Sequence, residues 1–237
     1  MEEDLSERLL VFNGTLTRAE QANFKLLLGL AAGGLTPSFS RPREGLLASA
    51  FSVVGDTLAR LQPYSSRIPA NGIAYRGRPG FITDEVLSAI QAEACELRPT
   101  AERFDEHFLG CGAALANALS TSIELTAFVR EHAGDVEPTG VASFLYYDEV
   151  GQGIDPHIDT DIFSVNVLLM LNHTYPPGAT AGSALVIFPP HREPERLDLR
   201  PGEVVVMFAG SIAHGREHMR PGESVSILTF GFQPQGT

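Results

Sequence analysis

Beyond Gly140 the chain is a succession of short β-branched and aromatic runs with turn signals between them and no room for intervening helices. The runs occupy residues 141–147, 164–171, 184–188, 203–208 and 224–232. Gly151-Gln-Gly153, Pro176-Pro-Gly178, Pro189-Pro190, Pro201-Gly202 and Pro221-Gly222 punctuate them. Strands that follow one another through turns, without crossover helices, pair antiparallel. A sandwich or barrel is the consequence, and a jelly roll is its simplest form here.

The first half reads differently. Thr17-Arg-Ala-Glu20 is a capping box, followed by Phe24, Leu27, Leu28 and Ala31 at helical spacing, and Gly33-Gly34 ends that helix. A second helix is expected over residues 44–61, stopped by Pro63, and a third begins after its cap at Thr83. Residues 112–132 are again helical, with a break near Ser120. The 237 residues suffice for one domain with a sizeable core. The expected fold is therefore α+β, a double-stranded β-helix (jelly-roll, cupin-like) core with N-terminal helices packed on one side. Residues 1–135 form a mainly helical wrap and residues 136–237 the core.

Charge narrows the partners. The net charge is −12, and Lys25 is the one lysine among 17 basic residues. No basic cluster offers a footprint for nucleic acid or an anionic membrane surface. The apolar runs are far shorter than a membrane span. The start Met1-Glu2-Glu3-Asp4 is acidic where a secretory leader is basic, so a cytoplasmic protein is expected. Cys95 and Cys111 lack the spacing of a zinc ribbon or a disulfide framework.

Chemistry concentrates in the strand-rich half. In Pro156-His157-Ile158-Asp159 an extended backbone turns His157 and Asp159 to one face, where both can hold one metal ion. His214 follows 55 residues after Asp159, at the end of another buried run. Two histidines and one carboxylate leave three coordination positions open, the arrangement of non-haem Fe(II) oxygenases. By the same alternation Asp161 is expected on that face, beside the metal or facing a substrate amine.

These residues, with several others, resemble the Fe(II)/2-oxoglutarate-dependent dioxygenases over roughly residues 140–234. Tyr147, ten residues before His157, matches the family's tyrosine strand. Leu171-Asn172 matches its Leu-Asn pair, and Ala181-Gly182-Ser183-Ala184-Leu185 is similar to its Gly-Gly-x-Leu segment. The stretch from Arg200 to His214-Gly215 matches the strand that delivers the distal histidine. The resemblance implies Fe(II) held by His157, Asp159 and His214, with 2-oxoglutarate and O2 as co-substrates. Tyr147, Asn172 and Ser226 would line the 2-oxoglutarate site. Oxidative decarboxylation to succinate and CO2 would be coupled to hydroxylation, desaturation or cyclisation of a small molecule. Retention of Asp159 disfavours halogenation, because related halogenases replace this ligand with a small residue.

One departure stands out. Family members place an Arg-x-Ser pair about ten residues past the distal histidine to hold the far carboxylate of 2-oxoglutarate. Here Ser224-Val225-Ser226 keeps the serine and lacks the arginine. Arg220 is the first candidate replacement and Arg216 the second, with Arg76 or Arg78 reaching in from the helical half. Arg76 and Arg78 are also candidates to pair with a substrate carboxylate.

Two rival readings share these residues. His214-Gly-Arg-Glu217-His218 spells the His-x-x-Glu-His zinc-peptidase motif, which needs a helix that Gly215 and Pro221-Gly222 oppose. A jelly roll that binds a ligand without catalysis is the other. By elimination the substrate is a small molecule, a free amino acid or a biosynthetic natural-product intermediate.

Overall fold

The computed structural model describes residues 4–61, 65–104, 106–179 and 182–235. Met1 to Glu3, Pro63, Thr180, and Ala181 of the Gly-Gly-x-Leu-like segment lie outside the described residues. Three helices come first: α1 (Leu5–Gly14), α2 (Arg18–Gly34) and α3 (Gly45–Arg60). The capping box forms. Thr17 Oγ1 accepts from the Glu20 amide at 3.4 Å, and the Glu20 carboxylate accepts from the Thr17 amide at 2.8 Å. After β1 (Ile73–Gly77), Thr83 caps α4 (Asp84–Leu97) by accepting from the Val86 amide. A hairpin of β2 (Glu102–Phe104) and β3 (His107–Cys111) precedes α5 (Ala114–Ser120) and α6 (Ile123–Ala133), the two halves of the broken helix.

The remaining strands are β4 (Val136–Tyr147), β5 (Ile154–His157), β6 (Val165–Thr174), β7 (Leu185–Phe188), β8 (Glu195–Leu197), β9 (Val204–Met207), β10 (Ala213–Arg216) and β11 (Ser224–Pro234). They form a seven-stranded sheet in the order β1-β9-β6-β11-β4-β3-β2 and a four-stranded sheet in the order β5-β10-β7-β8. All pairings are antiparallel. The five expected runs are β4, β6, β7, β9 and β11. The first half also contributes β1, β2 and β3 to the larger sheet. At five, three and five residues these are too short for a period-two pattern to stand out.

Alternation along β6 shows how the layers are built. Val165, Val167, Leu169 and Leu171 face outward onto Leu87, Ile90, Ala116, Leu125 and Val129 of α4, α5 and α6. Leu168 and Met170 face inward toward Leu185, Ile187 and Leu197 of the smaller sheet. Both faces of this central strand are covered, so it reads as an unbroken apolar run. The helices do not gather on one side as the sequence predicts. Val186, Phe188 and Ala213 make the outer face of the smaller sheet apolar too, and α2 and α3 cover it with Leu28, Ala32, Phe51 and Leu58. Each such aromatic burial is worth about 1.5–3 kcal/mol. The covering helix sits very close. A β-carbon at Gly33 would lie 2.4 Å from the Pro156 carbonyl oxygen, so glycine is what lets α2 rest on the strand that ends in His157. No described helix is long and apolar enough to cross a membrane.

Candidate metal centre

His157 ends β5 and His214 lies on β10, directly opposite it in the antiparallel register. Their ring centroids are 4.6 Å apart. Asp159 lies two residues past the end of β5 and not on a continuing strand. Its amide donates to the Ala209 carbonyl at 2.9 Å, and this bond, rather than strand alternation, returns its side chain to the histidines. Asp159 Oδ1 is 3.3 Å from His157 Nε2 and 3.6 Å from His214 Nε2. The candidate ligand atoms of the three residues all lie within 4.8 Å of one another.

Each ligand is fixed from behind. His157 Nδ1 donates to the Asp155 carbonyl at 2.7 Å, and His214 Nδ1 donates to the Ile212 carbonyl at 3.1 Å. A carbonyl can only accept, so these bonds set the tautomer and leave each Nε2 lone pair for a metal. Asn166 Nδ2 donates to Asp159 Oδ2 at 2.8 Å, which leaves Oδ1 as the ligand oxygen. Burial pushes the Asp159 carboxyl up, but the His214 and His157 imidazoles outweigh it and hold the group well below the usual carboxylate range. Burial alone would lower His157, and the Asp159 carboxylate beside it favours the protonated ring and raises it. Two imidazoles and one carboxylate would leave further coordination positions for other ligands, a donor set that suits Fe(II).

The centre opens into a cavity of about 250 Å³ between the two sheets. Its walls are mainly apolar, with Leu109, Leu145, Ile154, Phe163, Leu168, Leu185, Met207 and Ile227, and Tyr147, Ser143, Asn166 and Thr229 add polar atoms. Arg216 also lines it, two residues after His214 and therefore on the same face of β10. Arg216 is 4% exposed, and its Nε is buried without a partner. Burial pulls its guanidinium below the ordinary value, against the opposing charges of Glu223 and Glu217. The guanidinium carbon is 5.7 Å from the Tyr147 ring centroid. Burial also pushes the Tyr147 phenol up, so it stays neutral.

The structure brings His157, Asp159, His214, Tyr147 and Arg216 together. It separates the others from them. Arg220 is exposed in the turn before β11. Asn172 and Ser226 bond each other at 3.2 Å, and Gln91 of α4 bonds Asn172, which draws the pair toward the helices rather than the cavity. Arg76 donates to the Asp198 carbonyl, while Arg78 binds Asp84 and the Ile82 carbonyl at the start of α4. Asp161 opens a 3-10 turn, Asp161–Phe163, and pairs with Lys25 of α2, because the regular strand has already ended. Residues 214–218 form no helix. His214 is in a strand, Glu217 accepts from Arg196 and the Ala184 amide, and His218 is exposed beside Asp155. The geometry of a helical zinc-peptidase motif is therefore missing.

Asn166, which lines the cavity and donates to Asp159, is a site residue the sequence motifs do not single out. A lone amide inside Val165-Asn-Val-Leu-Leu-Met170 is the signal that marks it.

No family model matches the sequence, and no curated protein matches it. Solved structures do. The chain is similar to SnoN, a non-heme α-ketoglutarate-dependent epimerase from nogalamycin biosynthesis, at 16% identity and a TM-score of 0.58, over 75% of this chain and 82% of that one. A prolyl-4-hydroxylase of Pseudomonas putida matches at 18% identity and a TM-score of 0.53, over 76% of this chain and 100% of its own. HygX of Streptomyces hygroscopicus, with nickel, 2-oxoglutarate and hygromycin B bound, matches at 13% identity and a TM-score of 0.51, over 70% and 84%. The likeness is one of fold. The chain adopts the double-stranded β-helix fold seen in these solved oxygenases, with a His-Asp-His group lining its cavity.

Proposed function

We propose that the protein is an Fe(II)- and 2-oxoglutarate-dependent oxygenase that oxidises a small, neutral and mainly apolar molecule. One observation carries this reading: a buried arginine with an unpartnered Nε lines the same cavity as the His-Asp-His group, two residues from His214. A guanidinium suits a carboxylate because its planar fork donates parallel hydrogen bonds. Arg216 thus takes the place of the arginine that the 224–226 segment lacks, and holds the distal carboxylate of 2-oxoglutarate. The metal would be held by His157 Nε2, Asp159 Oδ1 and His214 Nε2. When bound, Fe(II) and 2-oxoglutarate supply O2 activation coupled to decarboxylation. For hydroxylation the balance is R–H, O2 and 2-oxoglutarate to R–OH, succinate and CO2. One oxygen atom enters the new carboxylate of succinate and the other enters the substrate.

The chain's residues set the rest. Asn166 keeps Asp159 oriented, and the backbone carbonyls of Asp155 and Ile212 hold the imidazoles in place. The apolar walls exclude water from the reacting carbon. Apart from the metal ligands and Arg216, the described lining residues carry no charge. With those groups engaged, no charged side chain among the described lining residues is left to meet the ammonium and carboxylate of a free amino acid, which favours a natural-product-like intermediate. A volume of about 250 Å³ suits a small reacting group, since small-molecule sites run from about 300 Å³ upward.

The test is calorimetric titration of the Ni(II)-loaded protein with 2-oxoglutarate and with 2-oxobutyrate, which lacks the distal carboxylate. Wild type should prefer 2-oxoglutarate, and Arg216→Met should erase about 100-fold of affinity for it, the worth of a charge-assisted pair, while nickel binding is kept. No binding of 2-oxoglutarate, or an unchanged preference in Arg216→Met, overturns the reading.

A further inference from the structure

Glu223 carries a carboxylate with no exposed surface that the proposed reaction does not use. Its Oε1 accepts from the Ser183 amide at 2.5 Å, the Ser183 hydroxyl at 2.8 Å and His173 Nε2 at 2.7 Å. Its Oε2 accepts from the Arg220 amide at 3.0 Å. Burial pushes this carboxyl up, and the four donors outweigh burial and keep it below the ordinary value. It is a fixed buried anion. The cluster also requires close approach at Gly182, where a β-carbon would lie 2.3 Å from Glu223 Oε1 and 2.4 Å from His173 Nε2.

Ser183 links this anion to the cavity. Its single hydroxyl proton has two acceptors in reach, Glu223 at 2.8 Å and Met219 Sδ at 3.6 Å, and the nearer carboxylate takes it. The Ser183 oxygen therefore faces Arg216 as an acceptor. Arg216 Nη2 donates to Ser183 Oγ at 3.1 Å and to the Ser183 carbonyl at 3.2 Å. A buried cation needs compensation, yet a carboxylate bonded directly to the guanidinium would occupy the fork that a ligand requires. Interposing Ser183 supplies the compensation at one remove and leaves the remaining donors of Arg216 available.

We infer that Ser183, locked by Glu223, is a positioning residue that aims Arg216 at the distal carboxylate of 2-oxoglutarate; this rests on the proposed co-substrate. The experiment compares 2-oxoglutarate with 2-oxobutyrate on Ni(II)-loaded wild type, Ser183→Ala, Arg216→Met and the double variant. Ser183→Ala should lower the preference for 2-oxoglutarate about tenfold, one charge-assisted hydrogen bond, with 2-oxobutyrate and nickel affinities unchanged. In the Arg216→Met background the same substitution should have no further effect, because its target is gone. General damage to the fold would instead weaken both oxo acids alike. Ser183→Cys, whose sulfur is a poor acceptor, is the second variant and should lose part of the preference. Full preference in Ser183→Ala, or an equal loss for both oxo acids, overturns the inference. A wild type with no preference at all refutes the co-substrate reading instead, so the two failures are separable.

Discussion

Asn166 gives the sharpest test of how the centre is held. It is 8% exposed, and Asp159, ionised and able only to accept, fixes its amide with the nitrogen toward Oδ2 at 2.8 Å. Its Oδ1 is then buried without a partner. Asn166→Leu keeps the side-chain volume and removes both groups. The lost bond to Asp159 is worth about 1.5–3 kcal/mol, or about 10–150-fold in affinity, similar to the 10–100-fold typical of groups that orient metal ligands. Removing the orphaned oxygen relieves a desolvation cost of about 1–3 kcal/mol. The two changes offset each other in the metal-free protein, whose melting temperature should move by no more than about 3 °C. Competition for Ni(II) against a chelating dye reads the affinity, and a thermal melt reads the fold. Nickel affinity within twofold of wild type would refute the orienting role. A large fall in metal-free stability would show that Asn166 serves folding instead.

Two further outcomes follow from the packing and the buried charge. Gly33→Ala sets a β-carbon against a backbone oxygen 2.4 Å away, which should destabilise the fold by about 1–3 kcal/mol in urea; because β5 ends in His157, nickel affinity should fall with it, and no change in either measurement would sink the close-approach argument. Glu223 has a folded pKa below its unfolded one, so its contribution to stability is complete above the ordinary carboxylate pKa of about 4.3 and disappears as the pH falls through the folded value. Unfolding free energy measured against pH should therefore decline less steeply below about pH 4.5 in Glu223→Gln than in wild type, and matching slopes would contradict a buried ionised Glu223.

The parts of the molecule legible in the sequence are those whose signal is local. Thr17 and Glu20 announce α2, Thr83 announces α4, and the apolar runs from β4 to β11 announce the two sheets. His157 and His214 could be paired because each sits on or beside a strand. The strand argument for Asp159 reached the right residue by a route the chain does not take, since β5 stops at His157 and a backbone bond to Ala209 does the turning. The same shortfall misplaced Asp161. Distance along the chain ranks Arg220 ahead of Arg216, whereas strand parity puts Arg216 on the face of His214 and Arg220 is exposed just before the turn into β11. Glu223 lies between a glycine and a serine at a turn and looks solvent-exposed. Its burial depends on Ser183 and His173, 40 and 50 residues away, and no local pattern encodes that.

That His214 and Arg216 share one strand has a geometric consequence. Two positions apart along a β-strand are about 6.6 Å apart, whatever the surrounding side chains do. The spacing between the backbone anchors of His214 and Arg216 is thus set by the pitch of the polypeptide itself, and drift of one sheet against the other leaves it unchanged. Sequence change elsewhere in the barrel can reshape the walls around a substrate while this built-in gauge keeps its length.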